Sequence, residues 1–164
     1  MKNTTILMIT GIILVVLFLL RKPINKAMTR GYKNNNPGNI RLTFDRTGKQ
    51  TFWKNEIIGT DKAFKKFKTM VDGYRALFAL LVEYNGKGFN TISKIINRYA
   101  PSSENNSTAY ISTVSARTKI HPDSVILSSD NDTLKKIVAA ISYVENGISA
   151  DLTDIEKGFN LYKT

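Results

Sequence analysis

Two carboxylates in this 164-residue chain stand where proton chemistry would need them. Glu145 closes the run Ile137-Val-Ala-Ala-Ile-Ser-Tyr-Val-Glu145-Asn-Gly147. The apolar residues fall at helical spacing, and Asn146-Gly147 reads as the helix stop. A carboxylate there meets the negative end of the helix dipole, and burial penalises its charge. Both effects raise its pKa, as a general acid acting near neutral pH requires. The bland alternative is a solvent glutamate beside a C-cap. Glu104 sits in Pro101-Ser-Ser-Glu104-Asn105-Asn106, just ahead of a helix start. There the dipole favours the ionised form, which suits binding or cation stabilisation; the alternative is a capping charge.

Other chemistries are poorly supplied. The chain has no cysteine and one histidine, His121. Disulfides and thiol catalysis are excluded, and a zinc peptidase lacks ligands. His121 lies in an Asp/Ser-rich stretch with no nucleophile-elbow sequence around it, so it reads as a surface loop residue. No cofactor is implied.

A third feature is Asn34-Asn35-Asn36-Pro37-Gly38-Asn39. Pro37 presets its φ and Gly38 tolerates φ > 0, so residues 36–39 read as a tight turn. The amides of Asn34, Asn35 and Asn39 both donate and accept. Such a loop can hold a sugar ring with acetamido groups, or it can be a plain polar turn.

Arg30-Gly31-x-Lys33-Asn34-Asn35-Asn36-Pro37-Gly38-Asn39-Ile40-Arg41 resembles the opening of a family of phage lytic proteins. Further matching pieces follow in order: Gly73-Tyr-Arg-Ala76, Leu80-Leu81, Tyr84, Ala100-Pro101, Glu104-Asn105-Asn106, Tyr110-Ile111 and Glu145-Asn146-Gly147. The members are lysozyme-like, virion-associated peptidoglycan hydrolases. The Glu145 segment is also similar to the catalytic Glu-Ser-Gly helix end of lytic transglycosylases. There that helix precedes the rest of the domain, so a circularly permuted order is implied. The resemblance implies glycan-strand cleavage on the way into or out of a host cell. Glu145 would be the proton donor and Glu104 a second catalytic candidate. Asn35, Asn39 and Tyr84 are cleft candidates. Peptidoglycan and other virion proteins would be the partners, with no specific nucleic acid. The competing reading is a non-catalytic structural virion protein that links membrane to capsid or binds the wall.

The elements that must position these residues follow from patterning. Residues 6–20 are apolar except for Thr10 and Gly11, and Arg21-Lys22-Pro23 follows. With Thr4 and Thr5 the run would extend about 25 Å as a helix, at the short end for a membrane span. The expectation is a single-pass, membrane-associated chain in a virion or host inner membrane, bound to lipid through this helix. It divides into an anchor (1–22), a linker (23–29) and a domain (30–164). Residues 1–30 carry five basic side chains and no acidic one, within a net charge of +11. The positive-inside rule then places the domain on the cytoplasmic side. The basic excess is compatible with anionic lipids, wall polymers or nucleic acid, but the domain lacks the concentrated basic stripe of nucleic-acid binders.

Within the domain, residues 40–44, 51–58 and 63–70 are strand candidates for one small antiparallel sheet or hairpin. Trp53, the only tryptophan, is a sheet anchor or a sugar-stacking ring. Helical periodicity begins at Asp72 and recurs after residues 90, 106 and 130, with a last short helix over 151–162. The expected fold class is α+β and lysozyme-like, mainly helical, behind one transmembrane helix.

Overall fold

The computed structural model describes residues 29–101 and 106–164. The described chain is mainly helical. In order, the elements are α1 (Arg30–Lys33), β1 (Thr43–Phe44), β2 (Gln50–Thr51), β3 (Glu56–Ile57), β4 (Lys66–Phe67), α2 (Met70–Gly86), α3 (Ile92–Tyr99), α4 (Ser107–Thr118), α5 (Asn131–Asn146) and α6 (Leu152–Lys163).

The expected architecture is corrected on two points. The strands do not make one sheet. β1 pairs antiparallel with β2, and β3 with β4, as two separate hairpins. The expected strand over 51–58 is cut by a turn. Asn55 takes φ 62°, and the Glu56 amide donates to the Trp53 carbonyl at 3.0 Å. A left-handed residue ends a strand and is tolerated best by asparagine or glycine. The second point is the transmembrane helix and the membrane location built on it. No helix among the described residues is long and apolar enough to cross a membrane. The run 6–20 that carried the expectation lies outside the described residues, as do the anchor (1–22) and most of the linker.

The helices start where side chains replace missing backbone acceptors. Thr69 caps α2 in a reciprocal box with Asp72, the third helical residue. Thr91, Asn106, Asp130 and Asp151 cap α3 to α6. Gly147, at φ 67°, stops α5 as the Asn-Gly signal predicts.

α2 is the central beam. Tyr74, Leu77, Phe78 and Leu81 are almost wholly buried along it. α6 crosses it with Phe159 edge-on to Phe78, ring centroids 5.1 Å apart. α5 packs with Ile137, Val138 and Ile141 buried, and its Ser142 hydroxyl meets the Tyr74 hydroxyl at 3.1 Å.

The asparagine loop is seated on this beam. A Cβ at Gly73 of α2 would stand 2.0 Å from the Asn35 carbonyl oxygen, so only glycine lets the loop approach so closely. Asn36 is fully buried and spends its whole amide on the fold. It donates to the carbonyls of Ile40 (2.9 Å) and Lys65 (2.8 Å) and accepts from the Ile40 amide (2.8 Å). The turn expected over 36–39 is present, closed by the Asn39 amide on the Asn36 carbonyl at 2.9 Å. Its left-handed positions are Asn35 (φ 50°) and Asn39 (φ 48°), not Gly38. Glycine is needed at 38 for space: a Cβ would lie 2.5 Å from the Tyr99 hydroxyl and 3.0 Å from Leu77 Cδ1.

The hairpins are held by a buried charge pair. Lys65 Nζ lies 2.8 Å from Glu56 Oε2, both side chains fully buried. Lys65 also donates to the Thr51 carbonyl at 2.9 Å. Glu56 accepts from the Trp53 amide (2.9 Å) and from Gln50 Nε2 (3.1 Å). Every partner is thus compensated, as a buried pair requires.

Two stability outcomes follow from these contacts. Lys65→Met leaves Glu56 buried without its cation and should lower unfolding free energy by about 3–5 kcal/mol in denaturant titration. Gly38→Val forces Tyr99 and Leu77 apart and should cost about 1–3 kcal/mol. An unchanged midpoint in either variant contradicts the corresponding contact.

Candidate active site

The end of α5 and the asparagine loop meet beside a cleft of about 310 Å³. Glu145 stands on one wall. Asn39, Arg41, Trp53, Tyr84, Arg98 and Tyr99 are among the side chains facing the same space. Three of the five residues singled out from sequence therefore come together: Glu145, Asn39 and Tyr84.

The other two do not join them among the described residues. Asn35 turns away and donates to the carbonyls of Phe67 (3.1 Å) and Lys68 (3.0 Å), locking the loop to β4. Glu104 lies outside the described residues, although Pro101, three positions earlier, lines the cleft. His121 is an exposed loop residue whose Nδ1 accepts from the Asp123 amide at 3.3 Å. Among the described residues no group of His, Asp and Glu side chains could hold a metal ion.

Glu145 is gripped at both oxygens. Tyr110 of α4 donates its hydroxyl to Oε1 at 2.9 Å. Asn39 donates Nδ2 to Oε2 at 2.9 Å. Burial pushes the Glu145 carboxyl above the ordinary carboxylate range, and these two hydrogen bonds and the Arg41 charge pull the other way without cancelling it. Desolvation wins because the apolar wall removes water from a charge that two neutral donors only partly replace. The Tyr110 hydroxyl is itself pushed well up by burial and then by the Glu145 charge, so it remains a donor at neutral pH.

Asn39 has a second property. Its Oδ1 is buried and unpartnered. With the amide as placed, Nδ2 serves the carboxylate. Turned over, the same amide would offer Oδ1 to a carboxylic acid proton. One side chain can therefore serve both protonation states of Glu145.

The loop's geometry is imposed from behind. Asn146 donates Nδ2 to the Pro37 carbonyl at 2.8 Å, tying the turn to the residue after Glu145. Tyr99 donates its hydroxyl to the Gly38 carbonyl. The Tyr99 and Tyr110 rings meet edge-on at 6.5 Å, and burial pushes the Tyr99 hydroxyl well up. Arg41 and Tyr110 appear in the sequence only as motif positions, and none of Tyr110, Tyr99, Arg41 and Arg98 is a site candidate there. The tyrosines were readable only as apolar-face residues of amphipathic helices. A hydroxyl on an otherwise apolar stripe is the one available signal, since a buried tyrosine needs a partner. Trp53 is half-buried, packed on the core and facing the cleft.

The raised carboxyl has a pH signature. The folded protein holds the Glu145 proton more tightly than the unfolded chain does. The cost of the buried charge is therefore absent below the unfolded carboxyl pKa and complete above the folded one. Stability contributed at this site falls as pH rises between the two. Glu145→Gln should abolish that fall and leave a melting temperature at neutral pH equal to or above wild type. Melting curves of both proteins from about pH 4 to 8 would reveal it. A variant that loses stability more steeply toward neutral pH than wild type would contradict the assignment.

No family model matches the chain. It is 37% identical over 139 residues to Protein P5 of Pseudoalteromonas phage PM2, an alignment that covers 83% of this chain and 82% of that protein. At that identity and coverage, the chain belongs to the bacteriophage protein family that includes Protein P5 of phage PM2.

Proposed function

We propose that this phage protein cleaves the glycan strands of peptidoglycan, with Glu145 as the proton donor. The observation that carries the reading is a buried carboxyl, raised above its ordinary range, on the wall of an open cleft. Perturbed carboxylates in clefts are where acid–base chemistry is arranged. The lining suits a sugar chain: Trp53 and Tyr84 are aromatic rings on the cleft wall, and Arg41 and Arg98 add donors.

In this reading the protonated Glu145 delivers its proton to the glycosidic oxygen as the bond to the anomeric carbon breaks. The resulting carboxylate is stabilised by Tyr110 and Asn39. It then takes a proton from the attacking hydroxyl and returns to its starting state. The attacker is the substrate's own hydroxyl in a lytic transglycosylase, giving an anhydro ring, or water in a muramidase. Among the described residues lining the cleft, Glu145 is the one carboxylate, which favours the single-carboxylate form.

A second reading has its own support. Both oxygens of Glu145 are already satisfied by Tyr110 and Asn39, so the residue also clamps α4, α5 and the loop together. A structural virion protein that binds wall glycan without cleaving it would keep this clamp.

Turnover separates the two. The full-length protein should release soluble fragments from purified peptidoglycan, and mass spectrometry of the ends would tell an anhydro sugar from a reducing one. Glu145→Gln should fold and lose about 10²–10⁴-fold in rate or more. Glu104→Gln should lose less. Wild type that binds glycan and releases nothing from any peptidoglycan type would establish the structural reading. An active Glu145→Gln beside an inactive Glu104→Gln would move the acid to residue 104.

A further inference from the structure

A second hollow of about 630 Å³ is lined by Arg30, Lys33, Lys62 and Lys66 around Asp61. It is built by α1 and by the segment leading into β4. The sole carboxylate in it is already committed. Asp61 accepts from Arg30 Nε (3.2 Å), Asn34 Nδ2 (3.0 Å) and the backbone amides of Ala63 (3.0 Å) and Phe64 (3.2 Å). Lys33, Lys62 and Lys66 form no ion pair with any described residue. Three ammonium groups around one spoken-for carboxylate leave the hollow positively charged.

The hollow is joined to the cleft by a stack of side chains. The Arg30 guanidinium lies 4.7 Å from the Phe64 ring centroid, and the Arg41 guanidinium 5.2 Å from the same ring. Arg30 lines the hollow, while Phe64 and Arg41 line the cleft. Arg98 also lines the cleft. A cationic track therefore leads from the wall beside Glu145 to the lysines.

We infer that the Arg30–Lys33–Lys62–Lys66 hollow is a binding site for the acidic peptide that hangs from the glycan strand. The choice of ligand rests on the glycan-cleaving reading. The cleft takes the sugar chain, and what projects from such a chain is a short peptide with several free carboxylates. Lysines recognise carboxylates as point charges, and the Arg30 fork, fixed by Asp61 and Phe64, gives the hollow one oriented edge. The attraction is between exposed groups, so it is modest and falls with salt.

The site is read without turnover. The full-length protein is titrated with the wall tetrapeptide Ala-D-Glu-diaminopimelate-D-Ala and with the same peptide capped as amides at its carboxyls. Binding is followed by calorimetry or by amide chemical shifts. Wild type should bind the free-acid peptide and lose about tenfold in affinity for the capped one. Lys33→Glu/Lys62→Glu, both at exposed positions, should lose a similar factor for the free-acid peptide while keeping the wild-type melting temperature. Equal affinity for the two peptides, or for the two proteins, would overturn the inference. Tighter binding of a short oligophosphate of matched charge would overturn it too, by reassigning the hollow to phosphate polyanions. Peptide binding without glycan cleavage would leave the hollow assigned and remove the enzyme reading. Cleavage without peptide binding would do the reverse.

Discussion

The structure turns on a carboxylate taken out of water and held by two donors remote from it in sequence. Glu145 ends α5, Asn39 belongs to the asparagine loop, and Tyr110 belongs to α4. A charge in that position is tolerated only if its oxygens find donors. The donors reach it only if the loop and both helices dock in one arrangement. The site is therefore complete only where the loop and both helices are docked together. The loop's other contacts serve this placement: Asn36 satisfies Ile40 and Lys65, Asn35 fastens to β4, and Gly73 gives the loop room to descend onto α2.

The part of the cleft that carries Trp53 depends on a second buried charge. Lys65 and Glu56 bind each other and also hold the Thr51 carbonyl and the Trp53 amide. The hairpins are only two residues per strand, too short to be stable alone. The ion pair substitutes for sheet hydrogen bonds, and it fixes where Trp53 meets the cleft. The cleft thus relies on two kinds of buried charge: a compensated ion pair that fixes the hairpins and a carboxylate whose burial outweighs its two donors.

The helices were legible because their signals are local. Caps at Thr91, Asn106 and Asp130 and the stop at Gly147 lie within a few residues of what they govern. Glu145 was legible because an apolar stripe that ends in an acid predicts desolvation. The failures share a cause, which is dependence on distant partners. Asn35 and Asn39 look alike in sequence, but β4 claims one and Glu145 the other. The sequence suggests a backbone requirement at Gly38, whereas Tyr99, sixty-one positions away, makes it a steric one. One strand was expected where a left-handed Asn55 cuts the chain into two hairpins. The basic hollow is not visible in the sequence, because its charges come from residues near 30 and near 65 that are neighbours only once folded. The expected membrane span had no counterpart among the described helices.

The most direct test of this account is the titration of Glu145 itself. Carboxyl-carbon NMR of the full-length protein, with Glu145→Gln assigning the resonance, reads its midpoint without reference to any substrate. The account predicts a midpoint above the range of the other glutamates, moving further up in Asn39→Ala as one donor to the anion is lost. A midpoint at or below the ordinary carboxylate range would mean the two donors outweigh burial. Glu145 would then be a permanently ionised clamp and not an acid.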